Sequence, residues 1–196
     1  PSLNKVPLYL LKNEYTMCFN HFKIMEERIN WFPNFYMSTD NLVLDDIINS
    51  LNSISEKAEL VFLPDIHFRG KNYKKEIKRY KNLFWIEQKH GQGFSNTLPK
   101  AYLGGSVIYE GFQVLNYLGF KEIYFIGVDM NFQIHKSANK ISGGETDIIS
   151  TGDDDPNHFD PRYFGKNKKY HQPEDYVINN ILKNLKFLSA VAYKFR

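Results

Sequence analysis

Cysteine is nearly missing from this chain of 196 residues; Cys18 stands alone. A single thiol excludes an internal disulfide and fits a reducing compartment. Its place inside an apolar run marks it as a packing residue, not a nucleophile. Long hydrophobic runs are missing too. No stretch approaches the roughly 20 apolar residues that span a bilayer, and no secretory leader is visible. Net charge is only +3, from 25 Lys and Arg against 22 Asp and Glu, so no nucleic-acid partner is expected. The basic run Lys71–Lys81 could touch phosphates or anionic lipid, but a solvated helix face is the default reading. Internal repeats are absent. The chain opens on Pro1-Ser2-Leu3-Asn4, without an initiator Met and without a hydrophobic opening strand. A single α/β domain over 1–196 is therefore expected to lack its first strand and the Gly-rich turn after it.

What is present is globular. Hydrophobic residues make up 42% and charged residues 24%, a balance that buries a core rather than staying disordered. Aromatics are abundant, with 16 Phe, 13 Tyr and 2 Trp. Tyrosines suit a cleft that stacks a base or a sugar, although a Phe/Tyr-rich core accounts for most of them.

Glu14–Asn20 and Asn34–Thr39 read as strands, the second ending in Ser38-Thr39-Asp40. Leu44–Leu51 has helical spacing. Glu59–Leu63 is a third strand stopped by Pro64, Tyr73–Tyr80 a polar helix, and Leu83–Ile86 a fourth strand. Gln88–Lys100 is a loop punctuated by Gly91, Gly93 and Pro99. From Ser106 to Leu118 apolar residues recur with a helical period, and Gly119 closes that helix. Glu122–Val128 is almost continuously apolar, as a parallel strand buried on both faces should be. His135–Lys169 is long, polar and rich in Gly, Asp and Pro, which predicts a lid-like segment over 135–170. Pro173-Glu174-Asp175 then opens a final amphipathic helix. Strands alternating with helices predict a Rossmann-like three-layer α/β/α domain on a mostly parallel sheet.

Several residues suit a nucleotide site. Gly104-Gly105-Ser106 precedes a buried helix, where free N–H groups and the dipole favour an anion. The bland alternative is that Ser106 is an N-cap and the glycines a turn. Asp129 is expected at the carboxyl end of the Glu122–Val128 strand, where open α/β sheets bind ligands, with Asn131 on the same side. A turn-capping role explains Asp129 equally well. Asn20, Ser38 and Asp40 fall at two other strand ends. His158 and His171 bracket the loop before the last helix, and His171, behind Tyr170, is the anchored one. Asp153-Asp154-Asp155 contains an Asp-x-Asp pattern, but it ends a Gly-rich stretch and reads as an acidic loop.

A family resemblance enters through motifs in order. Pro1-Ser2-Leu3-Asn4 looks like the tail of a Gly-Asn-Gly-Pro-Ser-Leu turn. Leu11-Lys12-Asn13-Glu14 and Phe19-Asn20 follow, then Gly105-Ser106-Val107, Gly119-Phe120-Lys121-Glu122-Ile123-Tyr124 and Gly127-Val128-Asp129. Asn157-His158-Phe159, Tyr163-Phe164 and Lys168-Lys169-Tyr170-His171 complete the set. Together these resemble the MptE-like/motility-accessory-factor group of glycosyltransferases, distantly similar to the bacterial sialyltransferases of glycosyltransferase family 42.

The resemblance implies a CMP-activated nonulosonic acid as donor and a hydroxyl of a surface polysaccharide, lipopolysaccharide or glycoprotein as acceptor. Ser2, Asn20 and Ser106 would hold CMP, with Asp129 on the donor rim and His171 as general base. Asn131 stands where the sialyltransferases carry a tyrosine, whose hydroxyl Tyr163 or Tyr170 would have to replace. A monophosphate leaving group needs no divalent metal and no further cofactor. The implied enzyme is cytoplasmic. Peripheral attachment at the inner membrane face and a homo-oligomer are left open. Two alternatives are a pterin diphosphokinase, as in archaeal MptE-like proteins, using ATP, Mg²⁺, Asp129 and Asp153–Asp155, and a non-catalytic nucleotide-binding module.

Overall fold

Alternation along short strands decides the architecture. In the computed structural model the residues described are 1–141, 147–171 and 175–194. Five parallel strands lie side by side in chain order: β1 (Met17–Phe19), β2 (Phe35–Met37), β3 (Leu60–Pro64), β4 (Leu83–Lys89) and β5 (Lys100–Tyr102). Cys18, Tyr36, Val61 and Leu63 face one side, against Val43 and Leu44 of α1 (Asn41–Ile47), Leu51 and Ile54 of α2 (Leu51–Lys57) and Tyr73 of α3 (Tyr73–Glu76). Phe35, Met37, Phe62 and Ile86 face the other side, against Val114 of α4 (Val107–Tyr117). A parallel sheet with both faces covered is the α/β, Rossmann-like arrangement that the alternation predicted. Each fully buried large side chain contributes roughly 1.5–3 kcal/mol. Tyr36, Phe62, Leu44 and Leu63 are all buried to 1% exposure or less.

The helix predicted over Ser106–Leu118 forms as α4. Ser106 is its N-cap, its side chain accepting from Ile108 N, and Gly119 follows with φ +92°. From β5, α4 crosses the sheet back to β1. It is joined there by α5 (Asp175–Lys194), whose Asn184 donates to Gly104 O at 2.9 Å.

Four expectations need correction. Glu122–Val128 is not a strand. Its residues are irregular and mostly exposed, with Tyr124, Phe125 and Ile126 at 80%, 49% and 39%. Gly127 adopts φ +70°, which a regular strand cannot accommodate. A ladder also needs a neighbour, and β1 pairs only with β2 among the described residues. The segment packs through side chains instead: Phe125 sits 6.1 Å from Phe112 of α4, and Gly127 lies against Leu3.

The helix expected over Tyr73–Tyr80 is the single turn α3. It stops at Ile77, whose backbone is extended (ψ +130°) and whose N–H closes the turn on Tyr73 O. The expected loop Gln88–Lys100 is shorter, because β4 runs on to Lys89 and pairs with β5. Lastly, 135–170 is not a bare loop. It carries β6 (Ala138–Lys140) and β7 (Asp147–Ser150), and β8 (Lys169–His171) completes a three-stranded antiparallel sheet. Burial of Phe159, Tyr163 and Tyr170 ties this layer down, and β8 packs on α1.

Candidate functional site

The carboxyl ends of β2 and β3 meet the small antiparallel sheet at one rim. The loops after β2 and β3, together with strands β7 and β8, supply its polar groups. Asp40, just past β2, caps α1: its Oδ1 accepts Leu42 N at 2.8 Å and Val43 N at 3.2 Å. That bond pattern leaves Oδ2 directed outward, 4.0 Å from His171 Nε2. His171, on β8, is oriented by Asp147 on β7, whose Oδ1 lies 2.7 Å from Nδ1. A carboxylate only accepts, so Nδ1 carries the proton and the neutral ring presents a lone pair at Nε2. That Nε2 is buried and has no hydrogen-bond partner among the described residues.

The loop after β3 brings His67 and Arg69. Arg69 Nη1 approaches Asp147 Oδ1 to 4.0 Å. His67 is 1% exposed, and burial pushes its pKa down to about 4, leaving it neutral at neutral pH. Its Nδ1 accepts Arg69 N at 3.2 Å, which places the ring proton on Nε2. This nitrogen, too, is buried without a partner among the described residues. Asp40 and His171 both act on the His67 charge, so the two rings share one electrostatic neighbourhood.

Beneath the rim lies a buried acid. Glu110 of α4 is 1% exposed. Its Oε2 stands 2.5 Å from Thr39 Oγ1, and its Oε1 accepts from Gln88 Nε2 at 3.1 Å. Gln88 Oε1 in turn accepts Phe68 N at 3.2 Å. One carboxyl thus links the end of β2, β4 and the His67 loop. Burial pushes its pKa up to about 8, so it is mostly protonated at neutral pH.

Known proteins add nothing to this geometry. No family model, no curated protein and no solved structure matches the chain.

The residues singled out from sequence fall into separate groups. His171 and Asp40 come together at the rim. Asn20 and Ser38 meet just behind it: Asn20 turns out of β1 with φ +55°, and its Oδ1 accepts from Ser38 Oγ at 3.1 Å. Ser2 and Asp129 also pair, Ser2 N donating to Asp129 Oδ2 at 2.7 Å. This bond holds the Asp129 carboxyl below the usual carboxylate range. Asp129 does not sit at a strand end, because Glu122–Val128 forms no strand. Asn131 is exposed in the same irregular stretch. Gly104 and Gly105 carry positive φ, +55° and +81°, and a Cβ on Gly104 would stand 2.1 Å from the Tyr109 ring. Packing and turn geometry therefore explain this pair without a ligand.

Tyr170 alternates to the opposite face of β8 from His171. It stacks on His135 and Phe164, and its buried hydroxyl lies within reach of Ser150 without a well-formed bond. His158 has its own acid, Asp155 Oδ2 at 2.8 Å from Nδ1, and lies flat on Tyr163 at 3.8 Å. His135 Nε2 is 3.3 Å from the other Asp155 oxygen but not aligned for a hydrogen bond. The three consecutive acids diverge. Asp153 accepts Lys166 N, Asp154 binds Ser137, and Asp155 serves the two histidines. Among the described residues no group of three His, Cys, Asp or Glu side chains could hold a metal ion, and no helix is long and apolar enough to cross a membrane.

His67, Arg69, Asp147 and Glu110 were not anticipated. The Pro64 that ends β3 was a usable signal for the first two, since residues just past a parallel strand belong to the ligand rim. Nothing local marks Asp147 or Glu110. A cleft of about 620 Å³ lined by Leu3, Leu8, Met25, Arg28 and Trp31 opens elsewhere and contains none of the rim residues.

Proposed function

We propose that this protein is a glycosyltransferase that moves a sugar, a nonulosonic acid, from a CMP-sugar donor to a hydroxyl of a bacterial surface glycan. The observation that carries the reading is the Asp147–His171 pair, with an unpartnered Nε2 at the carboxyl rim of a parallel α/β sheet. An imidazole whose distal nitrogen is held by a carboxylate is built to accept a proton. In the transfer, the acceptor oxygen attacks the anomeric carbon as the bond from that carbon to the CMP phosphate oxygen breaks. The bonding pair leaves with CMP, and the acceptor proton goes to His171 Nε2. Asn20 and Asp40 are available to ribose and sugar hydroxyls, with the buried Ser38 orienting Asn20 from behind, and the first turn of α4 to the departing phosphate. His158, locked between Asp155 and Tyr163, is assigned a structural role.

A thermal-shift panel of CMP, CDP, UDP, GDP and ATP, each with and without Mg²⁺, tests the donor. CMP should stabilise the protein without metal. A response confined to ATP with Mg²⁺ would replace this reading with a diphosphokinase, and CMP binding without turnover would leave a nucleotide-binding module. His171→Ala should lower transfer by about 10²–10⁴-fold, the usual worth of a general base, with CMP binding intact. Loss of activity in His158→Ala but not in His171→Ala would reverse the assignment.

A further inference from the structure

Two buried ring nitrogens at the rim lack partners, and they differ in hydrogen-bonding sign. His67 Nε2 is a donor, because Arg69 N–H occupies Nδ1 at 3.2 Å. His171 Nε2 is an acceptor, because Asp147 holds the Nδ1 proton at 2.7 Å. An unmet buried polar group is costly, and here the loop that carries His67 lies against the His171 pair, Arg69 Nη1 standing 4.0 Å from Asp147 Oδ1.

We infer that His67 and His171 together seat one neutral hydroxyl, that of an alcohol or sugar acceptor, with His67 as its hydrogen-bond donor. This rests on the transferase reading above for the word acceptor, but not for the hydroxyl itself. The chemistry narrows the occupant. An anion accepts only, which leaves the His171 lone pair unmet and brings it against Asp40. An ammonium donates only, which leaves the His67 N–H unmet. A metal ion on His67 Nε2 would need the ring proton moved to Nδ1, breaking the bond from Arg69. A hydroxyl meets both rings, donating to His171 and accepting from His67. The bond from His67 also leaves the oxygen lone pairs oriented, while the proton already points at the base. His67 therefore binds and positions, and His171 takes the proton.

Two conservative variants separate the halves of the His67 ring. His67→Asn keeps an acceptor for Arg69 N and deletes the Nε2 donor. His67→Gln keeps a donor near Nε2 and deletes the acceptor. Imidazole ¹⁵N NMR of the full chain at neutral pH, titrated with methyl β-D-galactopyranoside as a neutral polyhydroxyl probe, reads the seat without any activity. The Nε2 signals of His67 and His171 should move together. The His171 shift should vanish in His67→Asn and persist in His67→Gln. No joint shift, or an unchanged His171 shift in His67→Asn, overturns the inference and leaves an ordered water as the occupant.

With the donor found by thermal shift, His67→Asn should raise the acceptor KM by about tenfold, one hydrogen bond's worth. His67→Gln should restore the KM. Equal damage in both variants makes His67 a packing residue and overturns the inference. A joint NMR shift in a protein indifferent to CMP would retain the hydroxyl seat and retire the glycosyltransferase.

Discussion

Glu110 provides a stability experiment that needs no substrate. In the fold its carboxyl titrates at about 8 instead of the ordinary 4.5, because burial disfavours the charged form. Between those values the folded chain holds a proton that the unfolded chain has released. Folded-state proton binding exceeds unfolded-state binding there, so stability falls as pH rises, by about 1.4 kcal/mol per unit for a full proton. From pH 5 to pH 7 the loss comes to about 2.5 kcal/mol, and it levels off above pH 8. Glutamine is the informative replacement. Its amide N–H can face Thr39 and its carbonyl can accept from Gln88, so shape and bonds survive while the titration disappears. His21 and His67, whose pKa values burial pushes down to about 3 and about 4, destabilise the fold on acidification in both proteins and cancel in the difference. Urea unfolding of wild type and Glu110→Gln at pH 5, 6, 7 and 8 should therefore show the variant gaining on the wild type as pH rises. Parallel curves across that range would mean that Glu110 is ionised in the fold, and would remove the neutral link between β2, β4 and the His67 loop.

Two further outcomes follow from packing. Gly104→Ala forces a Cβ to within 2.1 Å of the Tyr109 ring at φ +55°; strained backbone of this kind costs about 1–3 kcal/mol before the clash is counted, so calorimetry should show a melting point lower by several degrees. The exposed run around Phe125 and Ile126 offers apolar surface beside α4, an invitation to self-association. Ile126→Lys should reduce concentration-dependent association in sedimentation velocity, and an unchanged profile would show that this surface is not what attracts a second copy.

The sequence carried the layers well and the pairings poorly. Strands alternating with helices, the 3.6-residue period of α4 and its Ser106 cap are local patterns, and all of them survive in the structure. Glu122–Val128 shows the limit of such patterns. Seven residues of strand-like composition state a preference, but a strand exists only where another strand accepts its hydrogen bonds, and composition cannot supply the neighbour. The reverse error made β5, three residues long and half polar, invisible until β4 claimed it.

The same reasoning explains the site. His171 was legible because its position before a helix anchors it, yet what orients its ring is Asp147, 24 residues away on the facing strand. Asp147 and His171 are register partners in an antiparallel pair, where opposed side chains stand about 4.5–5.5 Å apart at Cβ. A slip of one residue in that register would turn His171 to the face that Tyr170 now occupies and set Tyr170 toward Asp40. The three residues of β8 pair at Asp147, Ile148 and Ile149, and burial of Tyr170 and Ile148 on the shared inner face holds them there. Tyr170, the residue that looked like a donor of a hydroxyl, thus acts from the opposite face, by fixing which face of β8 carries the imidazole.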